Sequence, residues 1–189
     1  MRGVKSLIIM GMVISLFLGE SVLAKVWQPY QFSGKSEHFE YLITTFEDEK
    51  EERSTYILDI KKGEGNLYDV TVTSKWTTEE LGDSILAGFW GGRGIMWLFL
   101  NPMYGMYFTN FDLEVGEGVS FFGAGYMKIT GKEKVAGVEG FVCEFREKKK
   151  APLLSRWVIN PDIALPLKTE NFNEEGKLDH KVELQKYSR

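Results

Sequence analysis

Residues 56–73 read YILDIKKGEGNLYDVTVT, and this stretch decides the fold. Tyr56, Leu58 and Ile60, then Tyr68, Val70 and Val72, recur at a period of two, with Asp59, Lys61, Asp69, Thr71 and Thr73 between them. That period sets alternate side chains on opposite faces of a sheet. Gly63, Glu64, Gly65 and Asn66 separate the two runs, and glycines there supply the left-handed backbone angles of a tight turn. The stretch predicts a hairpin. Its polar alternates leave one face wet, which favours antiparallel over parallel pairing.

The same period continues on both sides. Phe39, Tyr41 and Ile43 precede it; Phe111, Leu113 and Val115, then Met127 and Ile129, then Phe141, Cys143 and Phe145, then Trp157 and Ile159, then Leu178, His180, Val182 and Leu184 follow it. Turn residues punctuate these runs at Gly116 to Gly118, Ala136 to Gly140, Lys148 to Pro152, Asn160 to Asp162 and Asn173 to Gly176. Eight or nine antiparallel strands in one domain are expected, with no linker dividing them.

Residues 77–108 break the pattern. Thr77 with Glu80 three positions on is a capping-box helix start, and Leu81, Ile85, Leu86 and Phe89 follow at helical spacing. From Ile85 to Phe108 Arg93 is the only formal charge, and seven of the twenty-four residues are aromatic, where the chain average of 14% gives about three. Gly88, Gly91, Gly92, Gly94, Gly105 and Pro102 would interrupt a membrane-spanning helix. The expectation is a helix, a flexible joint and a second short helix near Ile95 to Leu100, laid over the apolar face of the sheet. Such a segment can simply cover the sheet. It can also act as a mobile lid over an acyl chain, whose burial is worth about 0.8 kcal/mol per methylene, or dock on a membrane surface or a protein partner. On the lid reading Phe89, Trp90, Trp97, Phe99 and Tyr104 contact the guest, and the hinge lies at Gly91, Gly92 and Gly94. Arg93 has three candidate roles: snorkelling to water, latching the lid onto backbone carbonyls, or meeting a phosphate headgroup.

The N-terminus reads as a targeting segment. Arg2 and Lys5 lead the apolar run Leu7 to Leu18, and Val22 and Ala24 occupy the positions a signal peptidase reads, so cleavage is expected after Ala24, with an uncleaved anchor as the alternative. Residues 25–189 then form one exported domain. With 189 residues, 43% of them hydrophobic and 26% charged, the chain has the balance of a globular protein. A net charge of −4 and no basic stripe exclude general affinity for nucleic acid. Cys143, the single cysteine, excludes an internal disulfide and is read as a small buried apolar residue.

Gly131, Lys132, Glu133, Lys134, Val135, Ala136, Gly137, Val138, Glu139, Gly140, Phe141, Val142 and Cys143, then Arg156 to Ile159, Leu165 to Lys168, and Gly176 with Lys177 form a run of hairpins. This run resembles the LolA- and LolB-like outer-membrane lipoprotein-sorting proteins, in which a Gly-rich hairpin leads to a strand bearing Trp and then to a Leu-Pro-Leu strand. The resemblance implies an unclosed antiparallel half-barrel with helices inside it, holding acyl chains or a lipoprotein in the periplasm.

Catalytic constellations are missing. His38 and His180 lie far apart in sequence, and His180 shares a face with Leu178 and Val182, the position of a satisfied core histidine. Gly118 to Gly123 resembles a nucleophile elbow, but its second glycine comes one place late. No phosphate loop or metal-ligand spacing is present, so neither metal nor cofactor is expected. The charge run Glu47 to Arg53 fits a solvated hairpin tip, and Lys148 to Lys150 a wet turn able to touch anionic headgroups briefly. The functional expectation is a non-enzymatic periplasmic carrier of acyl chains or lipoproteins. The alternative is an envelope sensory or interaction module of the same fold with a membrane-protein partner, and a hydrolase comes third.

Overall fold

The structure, a computed structural model, describes residues 25–47, 50–77, 108, 111–121 and 125–189. The predicted signal segment and nearly all of the predicted lid lie outside the described residues. What is described is mainly β. Strands β1 (Glu37–Glu47), β2 (Lys50–Lys62), β3 (Tyr68–Trp76), β4 (Gly118–Phe121), β5 (Gly125–Val135), β6 (Val138–Arg146), β7 (Leu153–Ile159), β8 (Lys168–Phe172) and β9 (Leu178–Ser188) form one antiparallel sheet. Its order is β3-β2-β1-β9-β8-β7-β6-β5-β4, so β3 and β4 are its two edges and the sheet is open.

The expected hairpins are present. Tyr56, Leu58 and Ile60 pair with Ser74, Val72 and Val70, and of the charge run Glu47 pairs with Lys50 where β1 and β2 adjoin. Three local expectations fail. Phe111 to Val115 is not a strand: Asp112 makes a single bridge to Val26, and the edge strand begins later, at Gly118. The Leu165 to Leu167 segment precedes a strand rather than forming one, and β8 starts at Lys168. Gly140 lies inside β6, because the turn before it needs only two residues. There Ala136 and Gly137 take φ of 48° and 83°, as the tight turn whose twist matches flanking strands requires.

Strand register builds the core. Ile43, Val182, Thr169, Trp157, Cys143 and Ile129 stand opposite one another in a row across β1, β9, β8, β7, β6 and β5, and all are buried. Phe39, Tyr41, Tyr56, Leu58, Ile60 and Leu184 extend the same apolar face over the other end of the sheet. One residue along each strand lies the opposite face, where Lys128, Glu144, Arg156, Glu170 and Lys181 form a second row of alternating charge. Opposite charges directly across a strand pair are worth roughly 0.2–1 kcal/mol each. The polar face is therefore laced as well as wet. It is not polar throughout: Val142 and Val158, the neighbours of Cys143 and Trp157, are also buried, so the sheet centre is covered on both sides.

The segment at 25–30 straps part of this core. The Leu113 amide donates to the Lys25 carbonyl at 2.9 Å, the Trp27 indole N–H to the Ile163 carbonyl at 2.7 Å, and the Tyr30 amide to the Ala164 carbonyl at 2.8 Å. The strap thus ties the approach to β4 to the loop between β7 and β8. Among the described residues no helix is long and apolar enough to cross a membrane.

Candidate functional site

Two surfaces compete for the role of working site. The first is the aromatic cluster under the strap. Trp27 meets Phe108 edge-on with ring centroids 4.9 Å apart, Phe108 meets Trp157 at 5.7 Å, and Trp157 stacks on Phe145 at 5.9 Å. Such pairs contribute about 0.5–1.5 kcal/mol beyond their buried area. Met127, Ile129, Cys143 and Ile159 complete the cluster. Phe108 closes the aromatic run 85–108, and its ring is fully buried against the sheet. The end of that run is therefore part of the core. The proposed guest contacts Phe89, Trp90, Trp97, Phe99 and Tyr104, with Arg93, lie outside the described residues.

The second surface is the β3 edge. On β2, Tyr56, Leu58 and Ile60 are 5%, 5% and 8% exposed, whereas Val70 and Val72, across from Ile60 and Leu58 on β3, are 59% and 55% exposed. The apolar face thus runs one strand past its cover. Leu67, Tyr68 and Trp76 add exposed apolar surface at the two ends of the strand. Tyr68 is tied down, its hydroxyl donating to the Gly34 carbonyl at 3.2 Å while the Lys62 ammonium lies 4.3 Å from its ring centre. Singly exposed apolar residues are ordinary, but a continuous apolar stripe beside unpaired backbone marks an interaction surface.

The free backbone groups can be assigned. The Gly63 amide donates to the Leu67 carbonyl at 3.0 Å. Antiparallel ladders alternate hydrogen-bonded and non-bonded pairs, so the amides and carbonyls of Tyr68, Val70, Val72, Ser74 and Trp76 point away from β2, toward the free edge. The β2–β3 register runs from Ser54–Trp76 to Lys62–Tyr68 without a bulge, and β3 contains no proline. It lacks two devices that usually blunt an edge strand. The opposite edge, β4, offers only four residues.

The remaining candidates are structural. His180 is buried, its Nδ1 lies 3.1 Å from the Thr45 hydroxyl, and burial holds its imidazole below the ordinary pKa against the opposing pull of the Asp179 carboxylate. His38 lies 2.7 Å from Asp59 at a separate place on the sheet. Cys143 is fully buried, which pushes its thiol pKa up and keeps it from acting as a nucleophile. Gly118 to Phe121 is a strand rather than a strand-to-helix elbow. Glu133, Arg156, Glu170 and Lys168 form a closed ring of four ion pairs between 2.7 and 3.0 Å on the polar face. Burial alone would lower the Lys168 ammonium, but its hydrogen bonds to Glu133 and Glu170 raise it above the ordinary value. The ring is satisfied within itself and joins β5, β7 and β8. No group of three or more His, Cys, Asp or Glu side chains among the described residues could hold a metal ion. A shallow cavity of about 220 Å³ at the β1–β2–β3 end is lined by Arg53, Ser54, Thr55, Lys75 and Thr77 with Leu42 and Trp76, a mixed lining unlike an acyl tunnel.

No model of a known protein family matches the chain, and no curated protein matches it in sequence. In three dimensions it is similar to MucB, at 13% identity and a TM-score of 0.42 over 82% of this chain and 53% of that one. It is also similar to the Pseudomonas aeruginosa MucA/MucB complex, at 11% identity and a TM-score of 0.38 over 81% and 51% of the two chains. A DUF1329 family protein from Desulfovibrio piger matches at 12% identity and a TM-score of 0.27 over 79% and 70%. The chain spans about half the length of the MucB chain it matches. Likenesses of this size assign it neither a family nor a partner.

Proposed function

We propose that this chain is a non-enzymatic protein-interaction module of the cell envelope, exported to the periplasm and docking a partner along β3. One observation carries the reading: the apolar face of the sheet continues past its cover onto Val70 and Val72, beside an edge strand whose outward amides and carbonyls have no partner among the described residues. An extended segment added there gains main-chain hydrogen bonds and buries the apolar stripe, the mode known as strand addition. Carriage of acyl chains or a lipoprotein is the second reading. It draws on the glycine-jointed aromatic run 85–108 and on the resemblance of the 131–177 hairpins to lipoprotein-sorting proteins.

A photoreactive side chain placed at Val70 and activated in intact cells separates the two. Protein interaction predicts protein adducts from that position, and gently purified chain whose organic extract contains no stoichiometric lipid. A lipid-loaded chain that forms no protein adduct from Val70 would favour carriage.

A further inference from the structure

The sequence of β3, Tyr68-Asp69-Val70-Thr71-Val72-Thr73-Ser74-Lys75-Trp76, is complementary to itself when read antiparallel about Val72. That register sets Val72 opposite its own copy, Val70 opposite Ser74, Tyr68 opposite Trp76, Thr71 opposite Thr73, and Asp69 opposite Lys75, each unlike pair occurring twice by symmetry. Aromatic pairs, paired threonines and opposite charges are the cross-strand contacts that stabilise antiparallel sheets. Backbone geometry agrees. The residues whose amides and carbonyls face the free edge are Tyr68, Val70, Val72, Ser74 and Trp76, and this register pairs them only with one another. It is also the register that uses all nine residues of the strand. Other in-phase registers shorten the ladder and separate Asp69 from Lys75.

We propose that the occupant of the β3 edge is a second copy of this chain, joined through a two-fold axis at Val72 into one continuous sheet. The proposal rests on reading β3 as a protein-docking edge and names the partner there. A two-fold contact presents the same patch on both subunits, as β3 does. Val70 and Val72 from both copies then form a four-residue apolar patch on the core side of the joint. Asp69 and Lys75, both exposed, bracket it on the other side. An interface built on one nine-residue strand pair falls at the small end of specific contacts, below about 1,200 Å² in total, so association should be reversible and concentration-dependent.

Two sets of variants in the full chain test the symmetry. A hydrogen-bonded antiparallel pair has Cα atoms about 5.5 Å apart, within the range that a disulfide spans. Under mild oxidant Val72→Cys should therefore give a covalent dimer in far higher yield than Val70→Cys. In Val70→Cys the two cysteines would lie four residues apart along the strands, about 14 Å at 3.4 Å per residue, and should remain reduced. Cys143 is buried and does not compete. In sedimentation, Asp69→Lys or Lys75→Asp alone should weaken dimerisation on the order of tenfold, because each substitution acts at both symmetry-related pairs. The double exchange D69K/K75D should restore it, which simple loss of fold would not do. The second copy is overturned by a monomer at every concentration, by equal cross-linking at positions 70 and 72, or by no rescue in the double exchange. A monomer whose Val70 photoprobe still captures another protein would leave the docking edge standing with a different partner. A monomer whose probe captures no protein would remove both.

Discussion

His180 shows how little the histidines here suit catalysis. Its imidazole is buried and held below the ordinary value near 6.5. The neutral form is therefore favoured in the folded chain, and its contribution to stability is complete above the unfolded value. That contribution is lost as the pH falls through the folded one. Urea unfolding at a series of pH values should show the natural chain losing stability more steeply than His180→Gln as the pH falls below about 6.5. Parallel curves would place the titration elsewhere. Gly140 gives a steric counterpart. A Cβ there would lie 2.8 Å from Val158 Cγ1 and 2.9 Å from both the Ile159 carbonyl and Leu167 Cδ1. Gly140→Ala should thus cost about 1–3 kcal/mol by overpacking, measured by denaturant midpoint. The buried roles of His180 and Cys143 were legible in the sequence because each sits in phase with apolar neighbours on its strand. Gly140 reads as a turn residue in the sequence, since its close approach to β7 and the Leu167 side chain is a tertiary fact.

At the level of elements, period two served best where one face is wet. The β2–β3 hairpin could be read directly because Asp59, Lys61, Asp69, Thr71 and Thr73 mark the solvent side. The same rule failed for Phe111 to Val115, where three alternating apolar residues lie on the approach to β4, which makes one bridge to Val26 of the strap. It also left β8 unread, because Lys-Thr-Glu-Asn-Phe carries no apolar alternation and its inward residue is Thr169, 1% exposed. The ion-pair ring was equally hidden: Glu133, Arg156, Lys168 and Glu170 meet only once the register of β5 to β8 is known. Glu133 bonds both cations of the ring. Glu133→Gln should cost about 1.5–3 kcal/mol, the usual scale for hydrogen bonds to charged groups. If its thermal unfolding matched that of the natural chain, the ring would contribute nothing measurable.

For the whole molecule, the open sheet poses one problem, namely what completes its apolar face. At the β5–β7 end the strap and Phe108 do so, since Trp27, Phe108 and Trp157 are packed together and buried. At the β3 end nothing among the described residues does. The sequence alone drew attention to the aromatic run 85–108 because its composition departs so far from the average. It gave no such warning at β3, where Val70 and Val72 look like ordinary core residues until the sheet order places them on its rim. Hydrogen exchange of the dilute, monomeric chain, followed amide by amide, tests this rim most directly. With a free edge, the amides of Val70, Val72 and Ser74 exchange rapidly while those of Asp69, Thr71 and Thr73, bonded to β2, are protected. The fast set should become protected as the concentration is raised. Uniform protection along β3 in the monomer would show that the chain already covers this edge itself, leaving no surface there for any partner.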